Sequence, residues 1–328
     1  MGYSKQFNPT SVQSFRTDFA HSLQERTDKR DGEVYVFGSD ENIVLAVNVA
    51  LATGRPLLIY GPAGSGKSSI APSIARNLGW RYYEGVITSR TQAQDLLWTF
   101  DVVQRLGDAT SNRAASPAPG ALGTVDLHRY VQPGVLWWAF DAETATRRGL
   151  PSSAPELTIP DPSPYAVDAP AVVLLDEIDK ADPDVPNNLL VPIGSLSFTV
   201  KETGTQIGAA KIPLIIFTSN EERDLPSAFV RRCVILRLPH PTEPQLNQIA
   251  EAHFGTDDGK KKVYESLARK TIELQSEYVQ QGQRPPSTAE FLDAVRAALQ
   301  LKILPDSEPW KLLIRAALSK PGTSEVNR

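Results

Sequence analysis

A short stretch in the first quarter of the chain has the composition of a phosphate-binding loop. Residues 61–68 read Gly-Pro-Ala-Gly-Ser-Gly-Lys-Ser, a full match to G-x-x-x-x-G-K-[ST]. Backbone N–H groups free of bulky side chains can surround a β-phosphate, and the following helix N-terminus adds a favourable dipole. A flexible glycine turn is the alternative, but the loop lies between a predicted strand and a predicted helix, where phosphate binding requires it. The candidate nucleotide-binding residues are Gly61, Pro62, Ala63, Gly64, Ser65, Gly66, Lys67, Ser68 and Ser69.

Side chains for phosphate and water chemistry occur in this loop and in a second segment. Lys67 is predicted to reach the β- and γ-phosphates, and the Ser68 hydroxyl to bind Mg²⁺. The apolar run Ala171–Leu175 ends in Asp176, predicted to hold Mg²⁺ through water, and Glu177, predicted to polarise an attacking water. Two ordinary surface acids at a strand end are the alternative. The phosphate-binding loop upstream favours a catalytic role for these two acids over ordinary surface residues. An adjacent pair of acids in turn favours hydrolysis as the reaction.

The elements that must position these residues follow from short apolar runs. Pro56–Tyr60, Ala171–Leu175, Ile212–Thr218 and Val234–Leu238 are typical of parallel strands covered on both faces. Beyond Pro241 the pattern becomes helical, and Ser287 followed by Glu290 predicts a capping box. The predicted helices are Ser68–Leu78, Glu243–Phe254, Lys262–Gln280, Thr288–Leu301 and Trp310–Leu318.

These runs predict an α/β fold: a P-loop NTPase parallel sheet with flanking helices, followed by a small all-α lid domain. We expect an N-terminal extension over residues 1–32, with a helix-compatible stretch at Val12–Leu23. A nucleotide-binding core over 33–240 and a helical lid over 241–328 follow. Two segments look inserted. Ala109–Thr124 is rich in Ala, Ser, Pro and Gly, and the proline-rich Pro151–Pro170 is predicted to be an extended surface loop.

Composition narrows the functional classes. Lys and Arg number 34 against 38 Asp and Glu, so the net charge of −4 gives no general attraction to nucleic acid or anionic lipid. The single cysteine, Cys233, excludes an internal disulfide and a cysteine-based zinc cluster. The N-terminus has no apolar signal core, and no run reaches the length that spans a bilayer, so a cytoplasmic location is expected.

Four blocks taken in order carry a family resemblance. GPAGSGKS, VVLLDEIDKADPDV, IIFTSNEERDLPSAFVRRC and RPPSTAEFLDAVRAAL resemble AAA+ ATPases, and most closely the MoxR-like group related to dynein. The resemblance covers roughly residues 35–302. It implies ATP bound with Mg²⁺, a homo-oligomeric ring that is hexameric in relatives, and a protein client. A von Willebrand factor A partner, frequent among relatives, would have to be a separate polypeptide.

The resemblance also implies roles for residues outside the phosphate-binding loop. Asn220 is similar to the sensor-1 residue that positions water, although an asparagine at a strand-end turn is the alternative. Arg232 is similar to the arginine finger that enters a neighbouring subunit's site. Many MoxR-like members carry Asp-Arg-Phe here, and this chain has Arg231-Arg232-Cys233, so Arg231 remains a second candidate. Arg284 lies near the place of a sensor-2 residue, with a solvated arginine as the alternative.

The family carries two insertions that face the ring pore. Thr88–Val103 is similar to the helix-2 insertion, and Phe198–Lys211 to the hairpin before sensor 1. Trp98, Trp137 and Trp138 either grip a client there or form core, and core is the better expectation for tryptophan.

Three functions are compatible with this pattern. The leading hypothesis is an ATP-driven remodeller or chaperone acting on a protein client. A nucleic-acid motor similar to McrB-type restriction NTPases or helicase loaders is the second, and the acidic net charge argues against it. A non-catalytic scaffold is the third, and it would have no need of Lys67, Asp176, Glu177 and Asn220.

Overall fold

The computed structural model describes residues 5–9, 35–37, 41–115, 127–151, 158–163 and 168–319. The predicted helical stretch Val12–Leu23 lies outside these ranges. The chain divides into two compact units. One comprises the described residues up to Leu45, together with Tyr60–Ser73 and the described residues from Arg237 onward, and the other comprises Ala46–Ile59 and the described part of Ile74–Leu236.

A five-stranded parallel sheet forms the centre of the second unit. Three of its strands consist almost wholly of buried aliphatic and aromatic residues, because a parallel sheet is covered on both faces. All four predicted strands are present, so the predicted α/β class is confirmed. The strand order is β2-β5-β8-β1-β9, formed by β1 (Leu57–Tyr60), β2 (Arg81–Val86), β5 (Ala171–Asp176), β8 (Leu214–Ser219) and β9 (Val234–Arg237).

The register of the sheet fixes where the acidic residues lie. Strand β2 runs parallel to β5 with Val86 opposite Asp176, and β5 runs parallel to β8 with Leu175 opposite Phe217. Asp176 is therefore the last residue of its strand, and Glu177 begins the turn that follows. The carboxyl ends of parallel strands form the edge at which ligands bind in sheets of this kind.

Eleven α-helices lie within the described ranges. In the C-terminal region, two of them begin earlier than predicted, because Asp257 and Ser307 accept backbone N–H groups and so cap the first turn. The predicted capping box of Ser287 and Glu290 is confirmed. The helices are α1 (Glu41–Thr53), α2 (Lys67–Leu78), α3 (Val102–Ala115), α4 (Val135–Phe140), α5 (Ala142–Thr146), α6 (Asp184–Ser195), α7 (Ser227–Val230), α8 (Glu243–Phe254), α9 (Asp258–Gln280), α10 (Thr288–Gln300) and α11 (Glu308–Ala317).

The four C-terminal helices share a core of their own in the first unit. Tyr264, Leu267, Phe291 and Val295 are fully buried there, and Trp310 is nearly so. The amphipathic pattern read from the sequence therefore packs as an all-α subdomain. None of the helices in the described ranges is long and apolar enough to cross a membrane.

Two small two-stranded antiparallel sheets lie within the sheet-containing unit. Strand β3 (Trp98–Phe100) pairs with β4 (Val131–Pro133), and β6 (Ser197–Thr199) pairs with β7 (Gln206–Gly208). The second of these sheets was predicted as a hairpin within Phe198–Lys211. The partner of β3 lies beyond residue 103, outside the range Thr88–Val103 expected for the first insertion. Helix α3 also extends to Ala115, into the segment Ala109–Thr124 that looks inserted from its composition.

An aromatic cluster joins the two small sheets. The Trp98 ring stacks on Phe198 with centroids 5.6 Å apart, and Trp98 Nε1 donates to Oε2 of Glu202 at 2.7 Å. Trp137 packs edge-on against the same phenylalanine at 5.8 Å. The exposed fractions of Trp98, Trp137 and Trp138 are 4%, 0% and 6%, so the expectation that these tryptophans form core is confirmed.

The described parts of the proline-rich segment contain neither helix nor strand, as predicted, yet they are fastened to strand β2. The hydroxyl of Ser163 accepts the backbone N–H of Tyr82 at 3.1 Å, and the Tyr83 hydroxyl donates to the Asp161 carboxylate at 3.0 Å. Arg81 donates through Nε to the carbonyl of Ala169 at 2.8 Å. The pKa of Tyr83 is raised, first by burial and then by Asp161, which keeps the phenol protonated as a donor.

Candidate functional site

The phosphate-binding loop begins at the end of β1 and leads into α2, as the sequence predicts. Lys67, in the first turn of α2, is 6% exposed, and its ammonium group donates to the carbonyls of Gly61 and Pro62 at 2.8 Å each. Ser65 and Ser69 donate backbone N–H groups to carbonyls within the loop, at 3.2 Å each. The loop is therefore a compact turn with its lysine folded back over it.

One glycine of this loop contacts the N-terminal end of α10. Gly64 has φ of +76°, and a Cβ added there would lie 2.2 Å from Cβ of Ser287. The backbone N–H of Thr288 donates to the Gly64 carbonyl at 3.2 Å. Both the backbone conformation and the contact therefore require glycine. The sequence identified Ser287 as a helix cap but gave no sign that it contacts the loop.

His240 also lies near Lys67. Burial lowers the pKa of this imidazole, and the positive charge of Lys67 lowers it further. The neutral form of the imidazole is therefore favoured in the folded protein. No sequence pattern singled out His240 as a neighbour of the loop.

The predicted acidic residues lie at the carboxyl end of β5. Glu177 adopts φ of +62°, a left-handed conformation that is uncommon outside glycine and concentrated at functional sites. Its Oε2 accepts from Nζ of Lys180 at 2.7 Å, and its Oε1 accepts from Nδ2 of Asn220 at 3.3 Å. The hydrogen bond to Glu177 raises the pKa of Lys180. The structure therefore brings Glu177 and Asn220 together.

Two buried residues that the sequence did not single out hold this arrangement. The Thr218 hydroxyl donates to Oδ1 of Asp176, and the Thr218 hydroxyl oxygen accepts the backbone N–H of Glu177 at 2.9 Å. Asp179 is 2% exposed, and its Oδ2 accepts the N–H groups of Asn220 at 3.1 Å and Glu222 at 3.0 Å. These bonds fix the backbone on both sides of the Glu177–Asn220 pair.

The two candidate fingers follow the short helix α7. Arg231 and Arg232 are both exposed, and Cys233 beside them is buried. Burial raises the pKa of the Cys233 thiol to about 12, so it is an un-ionised core residue, as expected. Arg284 is exposed and lies three residues before the cap of α10.

The donor set can be tested against the metal that the P-loop implies. Mg²⁺ prefers few protein oxygens and keeps several waters, and Ser68 with Asp176 supplies one hydroxyl and one carboxylate. Within the described residues there is no group of three or more acidic, histidine or cysteine side chains that could hold a metal unaided. Taken singly, a serine hydroxyl and an aspartate carboxylate are oxygen donors of the kind that Mg²⁺ accepts.

Comparison with protein families decides the relationship. Residues 56–233 match the model described as AAA domain (dynein-related subfamily), which covers more than half of the chain. The chain belongs to this family. Its members share the AAA+ type of ATPase domain, so the P-loop, the acidic strand end and Asn220 lie within a recognised AAA domain. A comparison with curated proteins gave no match.

Proposed function

We propose that this AAA protein is an ATP-hydrolysing ring subunit, a MoxR-like remodeller that acts on a protein client. The observation that carries this proposal is the Glu177 carboxylate held between Asn220 and Lys180 at the end of β5. A chain that only bound nucleotide would have no use for a carboxylate fixed in this way. The full P-loop supplies the phosphate site that such a carboxylate needs.

The proposed reaction is hydrolysis of the terminal phosphoanhydride of ATP. Loop N–H groups and Lys67 bind the phosphates, and Ser68 and Asp176 would hold Mg²⁺, which neutralises phosphate charge when bound. Glu177 takes a proton from a water molecule as the oxygen of that water bonds to the γ-phosphorus. The bond between the γ-phosphorus and the β–γ bridging oxygen breaks, and ADP leaves. Asn220 orients Glu177 and the water, and Arg284 is the proposed sensor-2 contact.

Arg232, with Arg231 as the second candidate, is proposed to act across a subunit boundary. An exposed arginine after a short helix can reach a neighbouring subunit's γ-phosphate and stabilise charge in the transition state. Such a finger makes turnover depend on assembly. The number of subunits, proposed as six, and a separate von Willebrand factor A partner rest on the family resemblance alone.

The test is ATP turnover across a protein concentration series, with mass photometry on the same samples. We expect turnover to rise steeply as rings form. Lys67→Ala should lose binding, and Glu177→Gln should bind ATP without turning it over. Arg232→Ala should assemble yet lose turnover by about a thousandfold, as fingers do in related enzymes. Arg269→Ala is the matched control, because that arginine is 75% exposed on α9.

Two results would contradict the proposal. Turnover independent of assembly would show a self-contained site. Full activity of both Arg231→Ala and Arg232→Ala would remove the trans-acting finger. Strong stimulation by DNA, absent with unfolded protein clients, would favour the nucleic-acid motor instead.

A further inference from the structure

Arg55 lies in the short segment between α1 and β1, and its side chain makes an unusual set of hydrogen bonds to backbone carbonyls. Its Nε donates to the carbonyl of Arg232 at 3.1 Å, and its Nη2 donates to the carbonyls of Arg231 and Cys233, the latter also at 3.1 Å. One guanidinium therefore binds three consecutive carbonyl groups, far away in the sequence. Both segments belong to the sheet-containing unit.

These carbonyls lie where α7 ends and β9 has not yet begun. Carbonyls past a helix end have no intrahelical donor, and a planar guanidinium with five N–H groups can satisfy several at fixed angles. The neighbouring residue Pro56 accepts the backbone N–H of Val234 at 2.7 Å. The chain on either side of Arg55 and Pro56 thus anchors the backbone of residues 231–234.

The backbone of residues 231–234 is held by hydrogen bonds, whereas the side chains of this segment differ in their exposure to solvent. Cys233 is buried, and its N–H donates to the Val230 carbonyl at 3.1 Å. Arg231 and Arg232 are exposed. The result is a fixed backbone that presents two arginines outward.

We propose that Arg55 is a positioning residue for the arginine finger: it fixes the backbone from which Arg231 and Arg232 project toward a neighbouring subunit's nucleotide. The inference rests on the proposed trans-acting finger. A displacement of about 1 Å in a catalytic group costs on the order of a hundredfold in rate. Loss of Arg55 should therefore impair turnover at the neighbour's site and leave its own subunit's site intact.

This asymmetry gives a test by mixed rings. Arg55→Ala alone should assemble, bind ATP within about threefold of wild type, and turn over about 10- to 100-fold more slowly. Arg55→Ala mixed with Glu177→Gln should regain turnover, because the Glu177→Gln subunit donates an intact finger to the Arg55→Ala site. Arg55→Ala mixed with the fingerless Arg231→Ala/Arg232→Ala double variant should stay slow, since neither subunit donates a working finger.

The reference is a mixture of the fingerless double variant with Glu177→Gln, which measures the largest turnover that such complementation gives. The proposal is supported if the turnover of the Arg55→Ala and Glu177→Gln mixture comes within about twofold of the turnover of this reference mixture. If the reference recovers and the Arg55→Ala mixture does not, Arg55 serves its own subunit and the inference fails while the ring motor stands. Full activity of the fingerless double variant would instead overturn the proposed function.

Arg55→Lys repeats the series with a smaller change. A lysine ammonium group keeps the positive charge but lacks the rigid planar fork of the guanidinium, so Arg55→Lys should be slow alone and recover in the same mixture. If Arg55→Ala does not form rings, the Arg55→Lys series decides by the same criteria. Wild-type turnover by Arg55→Lys alone would contradict the proposal.

Discussion

The side-chain amide of Asn220 donates a hydrogen bond to Oε1 of Glu177 across 3.3 Å. The amide comes from the turn after β8 and the carboxylate from the turn after β5, so the pair joins two neighbouring strand ends. Asp179 binds the backbone N–H of the same asparagine. The orientation of Glu177 is thus supported from outside its own strand.

Removal of this amide should slow the chemical step rather than weaken ATP binding. We expect Asn220→Ala to lower kcat by about 10- to 100-fold with little change in KM, because the amide orients the carboxylate without being needed for phosphate binding. Steady-state kinetics on assembled rings measures both. Asn188→Ala is the matched control, since Asn188 is exposed on α6. If kcat/KM fell only because KM rose, with kcat unchanged, the proposed role of Asn220 in orienting Glu177 would be contradicted.

The contact between Gly64 and Ser287 predicts an unequal cost of two glycine substitutions. Gly79 has a similar φ of +66° with nothing within 4 Å of an added Cβ, whereas Cβ at Gly64 would lie 2.2 Å from Cβ of Ser287. Gly79→Ala should cost about 1 kcal/mol of strain, and Gly64→Ala about 1–3 kcal/mol more through overpacking. Chemical denaturation measures the difference.

Gly64→Ala should also weaken ATP binding, measured by titration, because the loop must shift to relieve the clash. Gly79→Ala should leave binding unchanged. Equal stability losses for the two variants would show that the loop does not pack against Ser287.

The burial of Trp98 separates a structural role from a client-gripping one. Trp98→Ala should lower the free energy of unfolding by about 3–5 kcal/mol, because the ring is 4% exposed and stacks on Phe198. Trp98→Phe keeps the aromatic packing but loses the hydrogen bond to Glu202, so a smaller loss of about 1–2 kcal/mol is expected. Unchanged stability with lost client binding would instead indicate an exposed gripping residue.

His253, on α8, makes the stability of the helical subdomain depend on pH. Burial, helped by the charge of Arg296, lowers the pKa of its imidazole from 6.5 to about 4. As pH falls below 6.5 the unfolded chain binds a proton that the folded protein does not, so the free energy of unfolding decreases until about pH 4. The loss is at most about 3 kcal/mol.

The matched measurement is denaturation of wild type and His253→Gln between neutral and mildly acidic pH. The variant lacks this titrating group. As pH falls, the free energy of unfolding of wild type should therefore decrease more than that of His253→Gln. A pH-independent difference would show that the imidazole titrates alike in both states.

Local sequence patterns predicted the elements that depend on neighbours in the chain. The buried strands follow from short aliphatic runs, and the cap of α10 follows from Ser287 and Glu290 three residues apart. Asp176 and Glu177 could be singled out from the sequence because they directly follow an apolar run that predicts a strand. The domain boundaries and the roles of individual site residues stay predictions.

Contacts between distant segments were beyond local patterns. Thr218 contacts Glu177 and Asp179 contacts Asn220, each across a separation of 41 residues, and Arg55 contacts Arg232 across a separation of 177 residues. None of these residue types is rare or specially spaced. Each becomes significant only when the strand order brings its segment beside the site, and that order is set by packing of the whole sheet.

The attachment of the proline-rich segment to β2 has a consequence for assembly. β2 terminates the sheet, and an unpaired strand margin is a template onto which another chain can add. Here Ser163 already occupies the N–H of Tyr82, and proline offers no donor of its own. A second chain that added to β2 would therefore have to displace Ser163 from the Tyr82 N–H, so sheet growth from one molecule to the next is disfavoured at this point of the margin.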